Sequence, residues 1–407
     1  MSAFEHASIT EAVADARVTT LAPDALRGLR VAVVGAGAFG GWTALWLRRA
    51  GAHVTLVDAW GPGHARSSSG DETRIIRTTY GPSVTYTQWT AQAFGDWQAL
   101  EALTGTTLFT RCGALWLYAT SNDHYARVAM PIVRAAGHTL DELSPDDVAR
   151  RFPQFSLDNV RTAFFEPGAG FLRARLGCQL VAAQFVAEGG TLVQAHVAPG
   201  RISHGVMGAL ATGDGRQIEA DRYLFACGPW LGKLFPRVIG NGVLPTRQEV
   251  FYFGTPAGDP QYEPDRCPVW LYEGAAGCSY GIPGNDGRGM KVADDVKGAR
   301  IDPTRSSRAP SAHAMAWAKA ELGARFPGLA GAPVAESRTC VYENSPDGHL
   351  ILDAHPNASN LWLAGGGSGH GYKLGPSVGR HMTALVAGAR TPIPEFGVAR
   401  LHGARTA

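Results

Sequence analysis

The 407-residue sequence predicts an α/β chain of about two domains, and three observations carry that expectation. The run "VAVVGAGAFG" (31–40) is an apolar strand leading into a glycine-rich turn that opens a helix. A second hand-over of this kind, "LWLAGGGSGHGYKLGPSVG" (361–379), lies near the other end of the chain. Between them, residues 240–335 are richer in Pro, Gly and aromatics and read as a separate sheet with loops. A nucleotide domain assembled from segments 29–85, 155–238 and 335–395 fits this order, with a mixed-sheet (α+β) substrate domain, 86–154 and 239–334, inserted between them. Residues 1–28 precede the first strong strand as an N-terminal arm.

The first unit, "RVAVVGAGAFGGWTALWLRRAGAHVTLVDAW", reads as strand, turn, helix, strand. Gly35 permits the tight turn, Gly37 lets a pyrophosphate touch the backbone, and Gly40 lets the helix pack on the strand. Ala38 and Phe39 begin a helix whose free N–H groups favour phosphate. Asp58 ends the next strand, 58 − 40 = 18 residues beyond Gly40, and can accept from ribose hydroxyls. This is a Rossmann-type dinucleotide signature, which alone does not separate FAD from NAD. A polar, turn-rich loop follows ("GPGHARSSSGDETRIIRTTYG"), then a helical stretch near "TQWTAQAFGDWQALEALTG" and short strands and helices over 110–165, including "CGALWLYA". "LGCQLVAAQFVAEGGTLVQAHV" reads as helix, Gly-Gly stop and strand, and "RQIEADRYLFACGPW" as a hairpin ending in Asp221 before another apolar strand. An amphipathic helix is expected around "SAHAMAWAKAELGARF".

Composition narrows the classes. Lys+Arg 37 against Asp+Glu 35 leaves charge nearly balanced, with no clustered basic stripe for nucleic acid. Six cysteines (112, 178, 227, 267, 278, 340) show no metal or disulfide spacing, which argues for reduced thiols and an intracellular, cytoplasmic setting. The opening residues lack the apolar core of a signal peptide. Residues 31–47 are uncharged but short of a bilayer span and rich in glycine, so no membrane association is expected.

Six motifs, "VVGAGAFG", "GDETRIIRTTYG", "ADRYLFACGPW", "YGIPGNDGRGMK", "TCVYENSPDGHLILDAHP" and "GGGSGHGYKLGPSVG", together resemble the flavin-dependent amine oxidases of the D-amino-acid-oxidase superfamily. The resemblance runs in pieces from residue 30 to about 390 and is strongest to the monomeric sarcosine oxidase and N-methyltryptophan oxidase branch. It implies FAD, with Asp58 on the ribose, the Val197 backbone at the adenine end, Arg74 against the flavin, and Cys340 in thioether linkage to it. A nearby cation such as Arg338 would favour the thiolate which that linkage needs. The resemblance also places Gly367, Gly369, His370 and Gly371 beside the flavin ring, where backbone N–H groups meet the charge that builds on reduction. Lys291, 291 − 281 = 10 residues after Gly281, takes the place of the lysine that promotes oxygen reduction.

Arg77 and Lys373 would clamp a substrate carboxylate, because a guanidinium fork and an ammonium give strong charge-assisted bonds. Tyr280 and Tyr342 match aromatic walls of the substrate site. The sarcosine-oxidase branch carries a substrate-facing histidine four residues after the lysine, whereas this chain has Asp295. That change disfavours sarcosine itself and favours a substrate with an additional cationic or hydroxyl group.

The implied reaction is oxidation of a C–N bond in a secondary or modified amino acid to an imine, with O2 reduced to hydrogen peroxide, by a monomer. A flavin dehydrogenase using another acceptor is the alternative. An NAD-dependent dehydrogenase and a non-enzymatic flavin sensor are further rivals. The sensor fits poorly, since it has no use for a carboxylate clamp.

Overall fold

The computed structural model describes residues 3–284 and 286–403, so Met1 and Ser2 of the arm lie outside the described residues. Two large sheets organise the chain. The first has six strands in the order Ile351–Ala354, Leu361–Gly365, Arg222–Phe225, Arg30–Val34, His53–Asp58, Thr191–Gln194. All its pairings are parallel except that between the first two strands named. Its central strands read as continuous apolar runs because both faces are covered. Helices Ala38–Arg49, Ala174–Ala187 and Gly375–Ala387 pack together on one face. Gly379 allows this closeness, since a Cβ there would run into the backbone of Trp42.

The second sheet has eight strands in the order Val334–Asn344, Leu244–Phe253, Met290–Asp294, Gly277–Ile282, Val269–Gly274, Ala114–Tyr118, Thr162–Glu166, Asp141–Leu143. One of its faces is closed by helix Ala312–Arg325, with Ala318 and Leu322 in a core shared with Phe251, Phe253 and Trp270. A small sheet of Thr73–Ile76, Gly170–Arg173 and Phe109–Thr110 holds the "TRII" segment.

Several boundaries move from those expected. Thr162–Glu166 and residues 335–344 lie in the eight-stranded sheet, not with the nucleotide strands. Helix Val84–Thr104, expected in the substrate segment, packs instead on the nucleotide-side helices through buried Trp89 and Trp97. Strand Val334–Asn344 pairs along its whole length with Leu244–Phe253, which holds it in the eight-stranded sheet. Val197 does not close the preceding strand, which ends at Gln194, but pairs with Thr212 in a separate three-stranded sheet. The arm forms helix Ala3–Asp15 and is tied to helix Val84–Thr104 by reciprocal Val18–Gln92 hydrogen bonds and by the Trp89 indole donating to Ala16 O.

Candidate active site

The first turn is built as its glycines require. Gly35 has φ of 103°, a conformation open to glycine, and a Cβ there would meet the Ala226 carbonyl. At Gly40 a Cβ would run into the carbonyl of Gly35, so helix and strand pack at backbone contact. Gly37 caps helix Ala38–Arg49 without a side-chain hydrogen bond and lines a channel with Ala38 and Phe39, the Ala38 N–H donating to Ser69 Oγ at 3.2 Å. Asp58 is buried and lines the same channel, and it organises the turn as well. Its carboxylate accepts from Ala36 N at 2.8 Å, Trp60 N at 2.8 Å and Gly61 N at 2.9 Å. Val197, Gly367, Gly369 and Gly371 complete the channel wall.

A second cavity, of about 420 Å3, adjoins this channel. Arg74, Tyr342, Gly369 and Tyr372 line both. Arg77, Lys373, Tyr280, Asp295 and His370 line the second alone. Arg77 donates to Thr79 O and stacks on Trp116 at 4.7 Å and Tyr80 at 4.8 Å. Lys373 is buried, donates to His370 O at 2.9 Å and sits over Tyr80 at 5.1 Å. Neither cation has a carboxylate in ion-pair contact among the described residues. Burial, and then the positive charge of Arg77, hold Lys373 well below the ordinary lysine range, and an arriving carboxylate would oppose both by favouring the charged ammonium.

The Arg77 loop is fixed from behind by Glu166, a fully buried acid that sequence reasoning missed. It accepts from Thr78 N and Oγ1 at 2.6 and 2.7 Å and from Thr79 N and Oγ1 at 3.2 and 2.7 Å. Only its place at the end of the apolar run "TAFFE" marked it in the sequence. His370 is neutral: burial, then Lys373, push its pKa to about 3, and its Nε2 lies 3.0 Å from Gly348 O with Nδ1 3.3 Å from the Tyr80 hydroxyl. Asp295 keeps exposed surface and accepts from the Tyr342 hydroxyl at 3.0 Å. Desolvation raises its pKa to about 6 against the opposing Tyr342 hydrogen bond and the charge of Arg77.

Lys291 and Cys340 sit differently from expectation. Lys291 is fully buried and lines neither cavity. Its ammonium donates to Asp71 Oδ2 at 2.5 Å and to Thr73 O at 3.1 Å. Asp71, overlooked within "GDETR", also takes Arg74 at 2.6 Å and the Tyr252 hydroxyl at 2.7 Å. The two cations hold Asp71 far below the usual carboxylate range against the opposing effect of burial. Tyr252 and Lys291 reach one carboxylate because they are cross-strand partners. Cys340 is buried and lines neither cavity, with burial raising its thiol pKa. The cation beside it is Arg74, 3.9 Å from Sγ, and not Arg338, which is engaged by Glu72 and Glu336.

Residues 30–385 match the FAD dependent oxidoreductase (DAO) family. The chain belongs to that family. It is an FAD-dependent oxidoreductase, and it is 28% identical over 372 residues to monomeric sarcosine oxidase of Bacillus sp. (strain B-0618), covering 89% of this chain and 93% of that protein. It is 29% identical over 365 residues to N-methyl-L-tryptophan oxidase of Salmonella arizonae, covering 88% and 95%. Among solved structures, L-proline dehydrogenase from P. horikoshii shares the fold with a TM-score of 0.80 at 17% identity, over 93% of this chain and 98% of that one. The glycine turn, buried Asp58 and a channel opening on a cation-lined cavity fit FAD. Among the described residues no helix is long and apolar enough to cross a membrane, no side-chain group could hold a metal, and all six cysteines are free.

Proposed function

We propose that this oxidoreductase is a flavin-dependent oxidase of a secondary or modified amino acid, converting a C–N bond to an imine and passing electrons to O2 with release of hydrogen peroxide. The observation that carries this reading is the pairing of Arg77 and Lys373 in one cavity, without ion-paired carboxylates and adjoining the nucleotide channel. A half-buried guanidinium and a buried ammonium facing one space favour an anionic ligand, and a carboxylate satisfies both. The names of the relatives agree, since both are oxidases of N-methylated amino acids.

FAD supplies the two-electron acceptor for the bond beside nitrogen. Gly35, Gly37, Ala38, Phe39, Gly40, Asp58 and Val197 would hold its nucleotide half, with Arg74, Gly367, Gly369, His370 and Gly371 around its ring. Arg77 and Lys373 fix the substrate carboxylate, while Tyr280 and Tyr342 form walls that exclude water. Asp295 faces the same space and favours a substrate with a second cationic or hydroxyl group over sarcosine. Lys291, held by Asp71, supplies the fixed positive charge that favours electron transfer to O2. Cys340 is the proposed attachment point of the flavin; burial and Asp71 hold its thiol above the ordinary value, and Arg74 beside it opposes that shift.

The test is an anaerobic screen of N-methyl, cyclic and glycated amino acids for flavin bleaching, followed by admission of air with peroxide detection. Bleaching by a carboxylate-bearing amine with peroxide on reoxidation is expected. A chain that carries flavin but is bleached by none of these amines overturns the substrate reading. Acid precipitation tests the linkage: yellow absorbance stays with the protein and is freed by Cys340→Ser. Complete release from the parent protein removes it.

A further inference from the structure

Glu343 is 7% exposed and lines the nucleotide channel with Gly228 and Gly367. Its Oε2 is a buried atom with no hydrogen-bond partner. The carboxyl accepts from the backbone N–H groups of Gly366 and Gly367. Glycines surround the free oxygen: a Cβ at Gly228 would stand 3.4 Å from Oε2, and one at Gly365 3.5 Å. The surroundings therefore keep side chains away from an oxygen whose buried state demands a partner.

Charge points the same way. Burial raises the Glu343 pKa to about 7, and among the described residues no Lys, Arg or His acts on it. The titratable side chain facing it from the neighbouring loop is Cys227, whose thiol is raised above its ordinary value by burial, then by Asp58 and Glu343. Burial shifts a carboxyl in this position toward its protonated form, and a protonated carboxyl donates one hydrogen bond while accepting others. An ionised carboxylate beside a dinucleotide's phosphates would be repelled, whereas the neutral acid offers a donor to an oxygen of the ligand.

We propose that Glu343 is a cofactor ligand, its Oε2–H donating to an oxygen acceptor of the bound FAD while its carboxyl stays anchored on the 366–367 backbone. The inference rests on the FAD reading of the channel. It adds a contact that changes with pH: cofactor affinity is highest where Glu343 is protonated and falls as pH rises through its titration.

The experiment measures FAD dissociation from the full-length chain by recovery of free-flavin fluorescence between pH 5.5 and 8.5. The background is Cys340→Ser, so that a covalent bond cannot mask dissociation. With Glu343 present, affinity weakens by about three- to tenfold across the range, the worth of one buried hydrogen bond. Glu343→Gln keeps a donor and an acceptor but does not titrate, so it binds FAD with that pH step removed. Glu343→Leu weakens binding at pH 6 by a similar factor, with far-ultraviolet circular dichroism of each variant confirming the fold. Equal affinities and identical pH profiles for Glu343, Gln and Leu would overturn the inference while leaving the oxidase reading intact. A chain that takes up no FAD at all would instead defeat the reading on which it rests.

Discussion

Replacing Arg77 with methionine tests the carboxylate clamp at its most exposed point. The substitution keeps an unbranched apolar stem and removes the guanidinium. Folding should tolerate it, because Arg77 has no ion-pair partner among the described residues to strand. What the fold loses is one backbone hydrogen bond and two ring contacts, at 4.7 and 4.8 Å. Each ring contact is worth about 0.5–2 kcal/mol depending on desolvation. The ligand loses more. A hydrogen bond to a charged group contributes about 1.5–3 kcal/mol, which is roughly a 10- to 150-fold loss of affinity for a carboxylate. Lys373→Met should cost a comparable amount. The double variant should lose less than the product of the two, since both cations grip one group. The assay is anaerobic titration of flavin absorbance with a substrate-like carboxylate and with its methyl ester. The parent protein should prefer the acid strongly, and Arg77→Met should lose most of that preference. If Arg77→Met binds the acid within about twofold of the parent and still rejects the ester, the clamp is wrong.

Other outcomes follow from neighbouring groups. Lys291→Met should slow reoxidation of reduced flavin by O2 far more than reduction by substrate, measured as separate half-reactions; equal losses would mark general damage. Asp71→Asn removes the anion shared by Lys291 and Arg74, and breaking such a buried pair costs about 3–5 kcal/mol in denaturant unfolding. Glu166→Gln replaces one accepting oxygen with an NH2 donor facing N–H and O–H donors already aimed at it, so KM should rise through a misplaced Arg77 while the bound flavin's spectrum stays unchanged. Asp295, with a pKa raised to about 6, is ionised above that pH. KM for a substrate with a cationic side chain should therefore fall as pH rises through about 6, and Asp295→Asn should abolish that step.

Much of this was legible because local chemistry forced it. Gly35, Gly37, Gly40 and Asp58 do their work within one βαβ unit, where spacing along the chain is spacing in space. Arg77 and Lys373 were readable only through the resemblance, since nothing in either segment states that they share a cavity. Glu166 and Asp71 escaped for the same reason. Each is an acid whose purpose is set by donors about 88 or 220 positions away in sequence, and no period or motif encodes such a meeting. The segment boundaries failed where a single strand, Val334–Asn344, serves one sheet along its length and the nucleotide channel at its end.

Arg74, Tyr342, Gly369 and Tyr372 form a party wall with a face in each chamber. Selection for a new amine at Tyr342 would therefore shift the colour and redox behaviour of the prosthetic group, and tuning the flavin through Arg74 would reshape what the enzyme accepts. Asp295 and Tyr280 touch one chamber only, with Asp295 tied to that wall through the Tyr342 hydroxyl.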